Sequence, residues 1–248
     1  MRSRLIVAAA TLLAFSRALG AQVGYPPAKS PYRDLRETQE VTVYSGYYRA
    51  KVDPGRVAPR SGPMVGALYA WRMGGPANLT FDLGRVESER QVLDPERLGG
   101  ISQDSSSFAA CPTASPECKS LGMYRWPLYM ADVGLALSLT GARSWLNLVP
   151  QVRAGVGVAT DFHTEADVGA FAFGTRFAFS WGAGIRWVPG GRYQLRADLL
   201  NRLYSVKYPT TYYQSADDGS TIFRQRQGRT AWLNNPGLTI GVSYLFSR

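Results

Sequence analysis

The chain has 248 residues, 45% of them hydrophobic and 12% aromatic, a composition that excludes a disordered polymer and allows one barrel-sized domain or two small ones. Its 26 glycines suit an all-β protein with many turns, and its slightly negative mean hydropathy argues against a bundle of membrane helices. The formal net charge of +10 suits solvated Arg-rich loops or contact with anionic lipid and glycan, while the export signal described next makes nucleic acid a poor partner.

Met1 to Ala21 reads as a secretory signal. Arg2 and Arg4 form the basic start, Leu5 to Phe15 the apolar run, and Ala18-Leu19-Gly20-Ala21 offers cleavage after Gly20 or Ala21. Its removal leaves 25 basic and 18 acidic residues, a charge of +7. Residues 22–39 carry Pro26, Pro27 and Pro31 among many charges, and read as a periplasmic tail or a segment packed at the lower rim of the domain that follows, residues 40–248.

From there hydrophobic residues recur with period two, the repeat of a strand with one apolar face. Weaker strands are expected near Val41 to Lys51, Met64 to Met73 and Asn78 to Arg85. Stronger ones follow at Tyr129 to Thr140, Val152 to Ala159, Phe173 to Val188, Tyr193 to Leu200 and Leu238 to Phe246, for a total of eight. Phe173 to Val188 separates Phe173, Phe177, Phe179, Trp181, Ile185 and Trp187 from Arg176, Ser180 and Arg186, and is long for a soluble strand. Short turns at Gly74-Gly75-Pro76, Gly141 to Ser144 and Pro189-Gly190-Gly191 alternate with long connections, the longest being 86–123 and 209–235. That alternation predicts an eight-stranded antiparallel up-and-down transmembrane β-barrel with short turns on the periplasmic side.

The polar face carries Arg72, Asp82, Asp132, Arg153, Arg176, Arg186, Arg196 and Asp198. Lipid would penalise each basic group by roughly 2–4 kcal/mol at mid-depth, so these residues are expected to line a lumen and pair there. Such a network would plug the narrow interior of an eight-stranded barrel; the alternative is a narrow pore for small solutes. Trp71, Trp126, Trp145, Trp187, Tyr193, Tyr204 and Tyr244 fall near strand ends, where interfacial girdles lie.

Three further features invite chemistry. Cys111 and Cys118 in an exported chain predict a disulfide closing a short loop, worth roughly 2–3 kcal/mol. Asp161, His163, Glu165 and Asp167 would share one face of an extended segment, a candidate for a cation or an acid–His pair, against a plain solvated loop. The connection after the seventh strand holds Tyr208, Tyr212, Tyr213, Phe223, Arg224, Arg226, Arg229 and Trp232, suited to a glycan or phosphate surface or to a strand extension with a solvated tip. Gly-rich phosphate loops and zinc patterns are absent, so no cofactor is expected.

The final strand, Leu238 to Phe246, resembles the C-terminal assembly signal of outer-membrane barrels, although Ser247 and Arg248 follow its aromatic residue. The hairpin Trp181 to Asp198 is similar to those of OmpA/OmpX-type small barrels. The resemblance covers roughly residues 40–248. It implies location in the bacterial outer membrane, delivery by the barrel-assembly machinery, and contact with outer-membrane lipid and lipopolysaccharide. The role expected is structural or surface-interacting, with loops meeting lipopolysaccharide or an extracellular ligand, and not enzymatic. A narrow pore stands second. A lipid A-modifying enzyme using His163 stands third, because Thr164 follows and no Ser stands two positions on.

Overall fold

The computed structural model describes residues 30–35, 38–97, 116–224 and 226–246. The expected signal segment and Cys111 lie outside the described residues, so the Cys111–Cys118 pairing stays an expectation.

Twelve strands are described: β1 (Tyr32–Asp34), β2 (Gln39–Tyr48), β3 (Gly62–Gly74), β4 (Ala77–Val86), β5 (Glu89–Leu93), β6 (Ser120–Arg125), β7 (Leu128–Ser138), β8 (Arg143–Trp145), β9 (Leu148–Thr160), β10 (Thr175–Trp187), β11 (Tyr193–Lys207) and β12 (Thr230–Phe246). Eight of them close a barrel in the order β2-β3-β4-β7-β9-β10-β11-β12, every pair antiparallel, with β12 returning to β2. The seam is long, running from Gly237 opposite Tyr48 to Phe246 opposite Gln39. Closure leaves no wall strand with an unpaired edge.

The remaining strands occupy the two ends. At the turn end, β1 pairs with β8, Tyr32 facing Trp145 and Asp34 facing Arg143. The connection expected as a tight turn at Gly141 to Ser144 is therefore longer, and it draws the segment before the barrel against the rim. Arg143 also donates to Asp34. At the loop end, β5 and β6 form a separate two-stranded ribbon between β4 and β7. Part of the expected 86–123 loop is thus a protruding hairpin.

Side-chain parity decides which face points out. Val43, Leu83, Val133, Leu135, Phe177, Trp181, Leu199, Ile240 and Val242 are exposed on the outer wall, while Thr42, Asp82, Asp132, Arg153, Arg186, Arg196 and Thr239 are buried inside. A barrel built for water would reverse this. Trp71, Trp145, Trp187, Tyr193 and Phe246 are exposed at the turn end, the position of an aromatic girdle. Two residues expected in the girdles are elsewhere. Tyr204 points inward and is fully buried, and Trp126 lies under the Arg90 guanidinium.

Strand ends differ from the alternation in one informative place. Phe173 continues the apolar face of β10 by parity, yet it is fully buried and meets Tyr204 edge-on at 5.6 Å. Gly174 is the cause: its φ of 60° is a left-handed conformation that breaks the strand and turns Phe173 into the mouth.

Candidate functional site

Two ionic clusters fill the lumen. In the one nearer the loop end, Asp82 accepts hydrogen bonds from Tyr44 Oη at 2.6 Å, from Arg202 Nη2 at 3.2 Å and from Arg153 Nη2, while Arg202 Nε donates to Asp132 at 3.0 Å. In the one nearer the turn end, Glu40 accepts from Arg186 and from Arg196 Nη1 at 2.7 Å. Arg196 also pairs with Asp198, whose Oδ1 takes Gln151 Nε2 at 3.2 Å. All eight ions are nearly inaccessible. Each cluster holds two carboxylates and two guanidiniums, so each is neutral.

The register explains why the charges cross the lumen. Asp82 stands directly opposite Asp132 on the neighbouring strand, and Arg186 stands directly opposite Arg196. Like charges in that position repel. Arg202 reaches across to join the two acids, and Glu40 joins the two arginines. Small residues make the room. A Cβ at Gly184 would lie 2.0 Å from Asp198 Oδ1, and one at Gly66 would lie 2.4 Å from Tyr44 Oη. The spaces left in and below this network measure about 10 Å³ each, the size of one water.

Six of the eight sequence candidates, Asp82, Asp132, Arg153, Arg186, Arg196 and Asp198, meet in these clusters. Arg72 is at the turn end and donates to the Leu35 carbonyl at 2.7 Å. Arg176 is at the loop end and donates to the Ala172 carbonyl at 3.0 Å. Glu40 and Arg202 were not among the candidates. Parity could have found both: Glu40 precedes Thr42 and Tyr44 on the inner face of β2, and Arg202 continues the row of Arg196 and Asp198.

Above the lumen the long connections fold into a packed cap. Tyr48 and Tyr204 share a hydrogen bond of 3.1 Å across the mouth. Val57, Leu93, Phe171, Tyr212, Ile222 and Phe223 continue the same buried core. Asp53 ties the connection after β2 to the one after β11, accepting from the Gly55 and Ala58 amides and from Tyr208 Oη at 2.8 Å. Burial pushes the Tyr208 and Tyr212 hydroxyls well above the usual tyrosine range, with the carboxylates of Asp53 and Asp167 adding to it, respectively. The expected aromatic–Arg surface therefore divides. Tyr208, Tyr212 and Phe223 are buried, whereas Arg224, Arg226, Arg229 and Trp232 face outward.

The segment around His163 also belongs to the cap. Arg90 is buried between Asp161 and Asp167, 3.7 Å from the first and bidentate on the second, with its guanidinium 3.9 Å from the Trp126 ring. His163 lies against the same Trp126 ring, tilted by 36° with centroids 5.0 Å apart, and Trp126 in turn stacks on Tyr124. Two of the three acids expected beside His163, Asp161 and Asp167, thus serve Arg90, while Glu165 is exposed, and among the described residues no three metal-ligating side chains converge. No sequence pattern marks Arg90, one of many loop arginines without periodicity.

No protein-family model matches the chain, and no curated relative matches it. Among solved structures it is similar to Neisserial surface protein A (11% identity, 84% of this chain and 97% of that one, TM-score 0.47). It is also similar to the outer-membrane protein OprG of Pseudomonas aeruginosa (11%, 86% and 99%, TM-score 0.45) and to the N-terminal β-barrel domain of OprF from the same organism (10%, 86% and 100%, TM-score 0.41). The fold assigned above stands on the strand pairings themselves.

Proposed function

We propose that the chain is an outer-membrane β-barrel with a closed lumen, serving as a structural or surface-interaction protein whose loop end faces outside the cell. The single observation that carries this is the inverted parity: a continuous apolar outer wall around an interior of paired ions. Hydrocarbon accepts that wall, and a closed barrel satisfies every wall strand's backbone without water. Its short connections support a periplasmic turn end. The exposed arginines of the cap, Arg224, Arg226 and Arg229, suit anionic lipopolysaccharide or an acidic partner.

The neutral ionic clusters disfavour the pore, since the spaces within and below them are about the size of one water. Asp161 and Asp167 are held by Arg90, which disfavours an acid–His pair at His163. Fractionation tests the proposal. The protein is expected in the outer-membrane fraction, with a heat-dependent gel shift and β-rich circular dichroism in detergent. Folded protein recovered from the soluble periplasm without detergent overturns it. In planar bilayers the expected trace has no steady conductance, and a stable open level overturns the closed lumen.

A further inference from the structure

The outer wall is not evenly filled. Across β3, β4, β7 and β9 one row of outward residues reads Ala67, Leu83, Ala131, Val158, and the next row toward the loop end reads Val65, Arg85, Tyr129, Thr160. The two alanines leave a groove of about 610 Å³ beneath Arg85 and Tyr129, almost wholly apolar and open along the wall.

Its upper edge is built in an unusual way. Phe162 carries a left-handed backbone, φ 54°, which a bulky residue adopts only at a cost. Its ring is 71% exposed, and it stands 5.0 Å from the ring of Tyr129. Its neighbour Asp161 turns inward to Arg90, so the conformation sends one side chain into the cap and the next over the groove. Arg85 completes the edge, 5.7 Å over the Tyr129 ring and 2.8 Å from Glu87. Both members of that ion pair are about half exposed, and such pairs contribute little. A phosphate can therefore compete with Glu87 for the Arg85 guanidinium, whose planar fork takes phosphate oxygens in bidentate fashion as it does a carboxylate's.

We infer that this groove holds one molecule of lipid A from the outer leaflet, an acyl chain lying over Ala131 between Leu83 and Val158 and a phosphate on Arg85. The inference rests on the membrane reading above. Continuity with the lipid-facing wall selects a lipid, the loop end selects the outer leaflet, and the cation at the edge selects a phosphorylated head group.

Native mass spectrometry of the full chain, purified from outer membranes in mild detergent, tests it by titration with bisphosphorylated lipid A, dephosphorylated lipid A and phosphatidylglycerol. One bisphosphorylated lipid A is expected to remain bound per barrel, at least tenfold more tightly than either other lipid. Ala131→Trp fills the groove from the lipid side and is expected to abolish the retained copy. Val242→Trp, at an outward position on β12, leaves it in place and controls for folding, with the gel shift reported for each variant. Arg85→Gln is expected to erase the preference for phosphorylated over dephosphorylated lipid A. Equal binding of phosphatidylglycerol, or undiminished binding by Ala131→Trp, overturns the groove assignment. Failure of the membrane reading would show separately, as protein absent from the outer-membrane fraction.

Discussion

At the scale of the residue, Asp82 is the point on which the lumen turns. It receives Tyr44, Arg153 and Arg202 at once, deep inside a narrow barrel. Removing a partner from a buried pair leaves uncompensated charge, which costs about 3–5 kcal/mol, whereas replacing the whole set by apolar groups of similar volume is often neutral. Asp82→Ala is therefore expected to lower unfolding stability by about that amount, read from urea titration in lipid vesicles. Simultaneous replacement of Asp82, Asp132, Arg153 and Arg202 by Leu or Met is expected to cost less than the single change. Equal or greater loss in the quadruple variant would show that the ions contribute net stability. Gly66 is the second sensitive position, because a side chain there meets both Tyr44 and the Leu83 carbonyl, 2.3 Å from its Cβ. Gly66→Val is expected to displace Tyr44 and to cost about 1–3 kcal/mol through overpacking, measured by the same titration.

At the scale of the element, the wall and the cap behave as different materials. The wall strands are held by ladders around the closed ring, while the cap is held by Arg90, Asp53 and a cluster of aromatic rings. Arg90→Ala removes the cation from two buried acids and is expected to open the cap to proteinase K several-fold faster while leaving the heat-dependent gel shift of the barrel intact. Loss of the gel shift would refute that independence. Alkali is expected to act on the same element. Tyr208 and Tyr212 have folded-state values raised above the ordinary 10.0, so the stability they contribute is present below pH 10 and declines as pH rises beyond it. Loop cleavage is expected to accelerate above pH 10, and Tyr208→Phe is expected to reduce that acceleration; cleavage that does not change between pH 8 and 11 would count against it. These two materials also differ in how far they could be foreseen. Period two exposes the wall in the sequence, and parity then delivers Asp82, Asp132, Arg153, Arg186, Arg196 and Asp198 together. Glu40 and Arg202 lie where the period-two pattern fades, since β11 reaches Lys207 and β2 begins at Gln39. The cap follows no period. Its contacts join residues far apart in the chain, such as Asp53 with Tyr208, and one left-handed glycine was enough to move Phe173 from the wall to the core.

At the scale of the whole molecule, three groups of contacts occupy the barrel from end to end among the described residues: the β1–β8 pairing at the rim of the turn end, the paired ions within, and the packed residues above. On the closed-lumen proposal the paired ions alone fill the interior, so loosening the cap is not expected to give conductance. Arg90→Ala in planar bilayers should stay silent, and a steady current from it would show that the paired ions do not close the lumen. The seam between β12 and β2 has a consequence of another kind. Its register joins Gly237 to Tyr48 and Phe246 to Gln39, partners about as remote as the folded sequence permits. Contacts so distant are entropically slow to make, and the row of hydrogen bonds they complete has no substitute elsewhere in the ring. Wherever that seam is unpaired, the bare borders of the first and last wall ribbons present backbone groups that a foreign strand can join.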